Sequence, residues 1–155
     1  MKIQHGNALH LGGFGLLIIG LSGSGKSVLT LALIERSHLF GRKAALVGDD
    51  YVELENMTGQ LFAYAPLQIA GVIEVRGAGL FKMAYEEKTR LDLVIELDKK
   101  GERYPEEHFF ENMQVRLPLL KLPQLRESDV LGLCYAVEAT LFGTRWQLES
   151  AEKGV

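Results

Sequence analysis

Eight residues, Gly20-Leu21-Ser22-Gly23-Ser24-Gly25-Lys26-Ser27, carry the densest chemistry in the chain. They satisfy the spacing G-x-x-x-x-G-K-[ST], in which glycines let successive backbone N–H groups turn inward around a phosphate. In that pattern the lysine reaches β- and γ-phosphate oxygens and the following hydroxyl ligates Mg²⁺. The apolar run "FGLLIIG" before the octet reads as a buried strand, and "KSVLTLALIERSHLF" after it reads as a helix. The positive end of that helix would then point at the bound anion. A Gly-Ser linker needs no lysine at that offset and would not sit between two apolar elements. The octet therefore reads as a site for ATP or a related polyphosphate.

Phosphoryl transfer also needs acidic groups for the metal and the nucleophile. Asp49 and Asp50 end the strand "AALVG", where a sheet presents side chains to a ligand. Adjacent carboxylates there point in opposite directions. One suits Mg²⁺ and the other can accept a proton from a substrate hydroxyl; a solvated turn is the plainer alternative. In "IEVRGAG", Glu74 and Arg76 are expected on one strand face, a carboxylate for metal and a guanidinium for phosphate charge. A surface ion pair is the alternative there. Taken alone, Arg103 in "GERYPE" and His5 read as ordinary polar residues, and Cys134 as core.

The elements that must position these groups follow from the pattern. "KIQHGNALHLGG" reads as a strand and turn, and the helix after the octet would bury Val28, Leu29, Ala32, Leu33 and Leu39 and stop at Gly41. "AALVGDDYVELE" is a strand interrupted at Gly48-Asp49-Asp50, and "NMTGQ" is a hairpin turn. "RLDLVIELD" reads as an alternating strand, "KKGERYPEEHFFEN" as a polar loop, and "VRLPLLKLP" as strand material broken by prolines. "ESDVLGLCYAVEATLFG" is a helix with Ser128 or Asp129 as its N-cap and Gly143 as its stop. This order argues for an α/β fold with a mixed sheet rather than a fully alternating parallel one.

The chain has 155 residues, enough for one domain, with a formal net charge of −3 that offers nothing to nucleic acid or an acidic membrane. Its single cysteine excludes an internal disulfide and fits a reducing, cytoplasmic setting. The N-terminus has no apolar core of signal-peptide length, and no apolar run approaches a membrane span.

Taken in order, "HGNALHLGGFGLLIIGLSGSGKS", "GDD", "IEVRGAGL" and "ERYPE" resemble the catalytic C-terminal domain of HPr kinase/phosphorylase, in a short single-domain form. The Glu-x-Arg-Gly-x-Gly element is the specific part of the likeness, which runs from about His5 to Phe142. The resemblance implies a P-loop kinase domain over residues 1–145, similar to the nucleotide-binding core of phosphoenolpyruvate carboxykinase, and a tail over 146–155. It implies transfer of the ATP γ-phosphoryl to a serine of HPr, the carrier protein of the sugar phosphotransferase system. It also implies phosphorolytic removal of that phosphate, and assembly as a homo-oligomer, hexameric in the family. By the same resemblance, Lys26 neutralises phosphate charge, Ser27 and Glu74 bind Mg²⁺, and one of Asp49 and Asp50 is the base. His5 and Arg103 complete the site, and Arg76 belongs to its signature strand. A nucleotide-binding sensor without catalysis and a small-molecule kinase on the same scaffold are the alternative readings.

Overall fold

A computed structural model describes residues 1–146, so the expected tail lies, beyond Trp146, outside the described residues. In chain order the elements are β1 (Lys2–His5), β2 (Asn7–Leu11), β3 (Phe14–Gly20), α1 (Lys26–Leu39), β4 (Ala44–Gly48), β5 (Tyr51–Met57) and β6 (Gln60–Tyr64). There follow β7 (Val72–Val75), β8 (Gly79–Lys82), β9 (Lys88–Arg90), β10 (Leu93–Asp98), β11 (His108–Asn112), β12 (Val115–Pro123) and α2 (Val130–Phe142). Six strands form a mixed central sheet in the order β11-β12-β10-β3-β2-β4. A second, antiparallel sheet has the order β1-β5-β6-β9, and β7 and β8 form a separate hairpin.

The central sheet is buried on both faces. Leu16 and Ile18 of β3 join Leu29 and Leu33 of α1 and Leu133, Cys134 and Val137 of α2 in one core. Leu17 of the same strand points the other way, into a core with Val52, Leu54, Leu61 and Ala63 of the second sheet. β10 divides in the same manner, with Leu93, Ile95 and Leu97 toward the helices and Val94 toward the second sheet. A central strand with apolar layers on both sides needs an apolar run. The strand expected in "RLDLVIELD" begins at Leu93, with Leu93, Ile95 and Leu97 alternating toward the helices and Val94 adding apolar burial on the other face.

Other expectations need correction. "HFFEN" forms β11 rather than loop, paired antiparallel with β12. "VRLPLLKLP" is one unbroken strand. Its Pro118 precedes the first residue in register with β10 and its Pro123 is the last, so neither missing N–H interrupts the parallel ladder. In α1 the buried positions are Leu29, Thr30, Leu33, Ile34 and Ser37, while Leu39 is 75% exposed. The buried polar residues of this face are Thr30, whose hydroxyl donates to Lys26 O, and Ser37.

Register decides where the loops gather. β3, β10 and β12 run parallel, and β4 shares their direction because β2 is antiparallel to both β3 and β4. The carboxyl ends of β3, β4, β10 and β12 therefore lie along one edge, the end of such a sheet where ligands bind. That edge carries the glycine-rich loop, the Asp49-Asp50 turn, the loop with Arg103 and the turn at Leu125–Glu127. No helix among the described residues is long and apolar enough to cross a membrane.

Candidate active site

The glycine-rich loop is built to present backbone donors. Gly25 enters α1 with φ 102°, no side chain caps the helix, and no acidic residue stands in its first turn. The first N–H groups are left for an anion. A Cβ at Gly25 would stand 2.5 Å from Cβ of Leu125, whose N–H donates to Ser24 O at 2.9 Å. The turn after β12 thus closes one flank of the loop. A Cβ at Gly23, by contrast, would meet nothing within 4 Å, so the crest of the loop is open.

Two polar groups in the loop have no settled role within the chain itself. Ser24 is 1% exposed, and among the described residues its Oγ has no hydrogen-bond partner. Lys26 Nζ donates back to its own loop, to Gly20 O at 2.9 Å and Leu21 O at 3.1 Å. Burial pushes the Lys26 ammonium below its ordinary value, against the opposing pull of Asp50 and then Asp49. An orphaned hydroxyl, an uncapped helix and a half-desolvated lysine fit a polyphosphate.

Behind the loop lies a buried polar cluster centred on Asp49, which is 8% exposed. Its Oδ1 accepts from Ser27 Oγ at 2.6 Å and from Asn7 Nδ2 at 2.8 Å. Its Oδ2 accepts from the backbone N–H of Glu74 at 2.9 Å. Three donors thus converge on this one carboxylate. Asp50, next in the chain, is exposed and sits at φ 69°, a left-handed conformation that aspartate adopts more readily than most residues. Its backbone N–H donates to Asn7 Oδ1 at 2.9 Å, and its C=O accepts from Gly6 N at 2.9 Å. The two neighbouring carboxylates are therefore different: one is buried and saturated, the other free to face a substrate.

Most of the residues expected from the sequence converge here. Gly20 to Ser27, Asp49 and Asp50 are joined by the bonds just described. Glu74 joins through its backbone, and its exposed side chain leaves the same hairpin strand, anchored by Ile73 in the core. His5 is exposed on β1, opposite Tyr51, one residue before the Gly6–Asp50 bond. Arg76 does not share a strand face with Glu74: β7 ends at Val75, and Arg76 opens the exposed turn to β8. Arg103 lies on the loop after β10, whose Leu97 is in register with Gly20. There it is exposed and lines a cleft of about 320 Å³ with Leu120, Leu122, Ala136 and Thr140. Among the described residues no hydrogen bond or ion pair joins it to the Asp49 cluster. Its loop is pinned elsewhere, by Glu102, which accepts from Glu106 N at 3.0 Å and contacts His108 Nε2.

Sequence reasoning missed Asn7 and Thr30, both fully buried. A lone asparagine opening the apolar strand "NALHL" was the available signal.

For a metal, Ser27 Oγ, the Asp49 carboxylate it touches and the carboxylate of Glu74, whose backbone N–H bonds Asp49, are all oxygen donors, as Mg²⁺ requires. The arrangement can hold a polyphosphate at a helix N-terminus beside a metal and a free carboxylate, which are the parts of a phosphoryl-transfer site.

Comparison with known proteins agrees with this architecture. Residues 1–130 match the family model described as HPr Serine kinase C-terminal domain. HPr kinase/phosphorylase of Caldicellulosiruptor bescii is 33% identical over 150 residues, covering 88% of this chain and 46% of that protein. The Bordetella pertussis protein of the same name is 34% identical over 161 residues, covering 96% and 50%. The chain thus spans about half the length of these curated relatives. Among solved structures, the Hpr(Ser) kinase/phosphatase from Coxiella burnetii superposes with a TM-score of 0.74 at 26% identity, covering 90% of each chain.

Proposed function

The chain belongs to the HPr serine kinase C-terminal domain family, and from that membership we propose that it transfers a phosphoryl group from ATP to a serine hydroxyl of HPr. The observation that supports this reading best is the asymmetry of the aspartate pair, with Asp49 saturated by Ser27, Asn7 and Glu74 N–H and Asp50 left free beside Lys26.

Bound ATP with Mg²⁺ would supply the transferable γ-phosphoryl and a cation to neutralise its charge. The open N–H groups at the start of α1 and the loop glycines would hold the phosphates, with Leu21, Ser22 and Ser24 supplying the rest of the cradle. Lys26 would exchange its two carbonyl partners for phosphate oxygens. Ser27 and Glu74 would bind Mg²⁺, with Asp49 fixing the direction of the Ser27 hydroxyl. Asp50 would accept the proton of the acceptor serine as its oxygen attacks, a step within the usual reach of a positioned carboxylate. His5, Arg76 and Arg103 are assigned supporting roles on the exposed rim, toward phosphate or acceptor.

The same reading takes residues 1–145 as a P-loop kinase domain like the core of phosphoenolpyruvate carboxykinase, acting in the cytoplasm without nucleic acid or membrane. It includes the reverse, phosphorolytic reaction and a homo-oligomer. Phe40 and Tyr135, exposed and stacked about Arg36, are apolar surface that such an assembly would cover.

The test mixes the purified protein with γ-labelled ATP, Mg²⁺ and HPr, beside an Asp50→Asn variant. Label on an HPr serine with wild type, lost with the variant, is the expected result. ATP binding without any transfer would replace this reading with that of a nucleotide sensor.

A further inference from the structure

We infer that Asn7 is a positioning residue of the transfer site, one carboxamide that locks the glycine-rich loop and the aspartate turn into a single unit. The inference rests on the functional reading above and extends it to a residue outside the signature segments.

Asn7 is fully buried at the start of β2, where the sheet edge meets the first turn of α1. Its Nδ2 lies 2.8 Å from Asp49 Oδ1, 3.1 Å from Thr30 Oγ1 and 3.3 Å from Ser27 Oγ. An amide has two hydrogens, so the two shorter contacts take them. The other atoms agree with that choice. Thr30 Oγ1 gives its own proton to Lys26 O at 2.8 Å, and Ser27 Oγ gives its proton to Asp49. Thr30 is therefore an acceptor toward Asn7, and the Asn7 oxygen is left for the Asp50 N–H at 2.9 Å. The network fixes the amide orientation from both ends: a carboxylate demands the NH₂, and a backbone N–H demands the C=O.

Each of these bonds joins a different piece. Through Thr30 the amide grips the helix that carries Lys26 and Ser27. Through Asp49 it shares the atom that orients the Ser27 hydroxyl. Through its oxygen it supports the left-handed backbone at Asp50. A leucine there would bury at least as well but would leave the Asp50 N–H and one Asp49 lone pair without partners. Packing alone would thus not select asparagine at a fully buried position.

The experiment uses the whole chain without nucleotide first. Hydrogen exchange read by NMR should show the Asn7 side-chain amide and the Asp50 backbone amide protected in wild type. In Asn7→Leu, Asp50 exchange should accelerate at least tenfold while core amides of β3 and β10 stay protected. With ATP, Mg²⁺ and HPr, the same variant should lose at least tenfold in kcat with KM for ATP changed less than threefold. An Asn7→Asp/Asp49→Asn exchange keeps an amide–carboxylate pair but takes the donor from Thr30 and the charge from Ser27, so it should fold with reduced stability and transfer slowly. Free exchange at Asn7 and Asp50 in wild type would overturn the inference even if Asn7→Leu does not fold. So would an exchange variant, or Asn7→Leu, with wild-type kcat. If wild type itself moves no phosphate to HPr, the functional reading fails, while the protection data still decide whether Asn7 holds the turn.

Discussion

The Ser27 hydroxyl donates to Asp49 Oδ1 across 2.6 Å, joining the last residue of the glycine-rich loop to the first residue after β4. The proton is committed, so the oxygen lone pairs face outward in a fixed direction. Ser27→Ala should therefore act mainly on the metal. The Mg²⁺ concentration needed for half-maximal transfer should rise at least tenfold. The loss of stability should stay near about 1 kcal/mol, since one hydrogen bond is removed and Asp49 keeps two others. A Mg²⁺ titration beside a thermal melt reads both.

The two aspartates should separate cleanly on mutation. Asp50→Asn should lower the transfer rate by about 10²–10⁴, the usual worth of a positioned base, with no change in melting temperature. Asp49→Ala should cost stability as well, about 1–3 kcal/mol for each buried donor left unpaired, because Asn7 and the Glu74 N–H both lose their acceptor. Single-turnover assays and denaturant unfolding on the two variants check the contrast.

Lys26 gives a prediction in pH. Burial lowers its pKa in the folded chain, so the folded state releases its proton first as pH rises. Between the folded and ordinary values the unfolded chain binds more protons, and stability rises with pH. Wild type without nucleotide should gain stability relative to Lys26→Met as pH climbs toward the ordinary lysine value. At neutral pH, ATP should raise the melting temperature of wild type and leave that of Lys26→Met unchanged.

Gly25→Ala should fail for two separable reasons. Its φ of 102° disfavours any side chain, and its Cβ would collide with Leu125 at 2.5 Å. Backbone strain of this kind is worth about 1–3 kcal/mol. Adding Leu125→Gly, which removes the Cβ in contact, should recover the collision part only. The double variant should then melt between Gly25→Ala and wild type, which a three-variant melting series would show.

Cys134 is buried among Leu133, Val137 and the β-sheet, and burial raises its thiol to about 11. At pH 8 it should resist alkylation until the chain unfolds. From about 9, its ordinary value, up to about 11, the unfolded chain alone gives up the thiol proton, so stability should fall across that window. Timed alkylation with mass detection tests the first claim, and melts at alkaline pH the second.

How much of this was legible beforehand follows the range of the signals. The octet, α1 and the Asp49-Asp50 break are local patterns of turn, cap and period, and the loop, the helix and the break fall where they were read, although the buried face of α1 takes Ile34 rather than Leu39. α2 was equally legible, capped by Asp129, which accepts from Gly132 N, and stopped by Gly143. β10 was legible as a strand from its alternation, while the burial of Val94 on its other face depends on a second sheet built from residues far off in the chain. β11 misled because "HFFEN" is polar enough for a loop until β12 supplies its ladder. Arg76 and Glu74 are two apart, but β7 ends at Val75 and Arg76 already stands in the hairpin turn. Asn7 was invisible as a site residue because its partners lie 20, 23, 42 and 43 positions away.

The seating of Leu125 against Gly25 also has a bearing on the order of assembly. The glycine-rich loop lies early in the chain, yet its flank is closed by a turn about a hundred positions later, reached only through β10 and β12. Parallel pairing of that kind is slow, because the intervening chain must be ordered first. During synthesis the glycine-rich loop would thus stay unfinished until nearly the whole domain had emerged. A nascent chain halted before Leu125 would carry the complete octet and still fail to bind ATP.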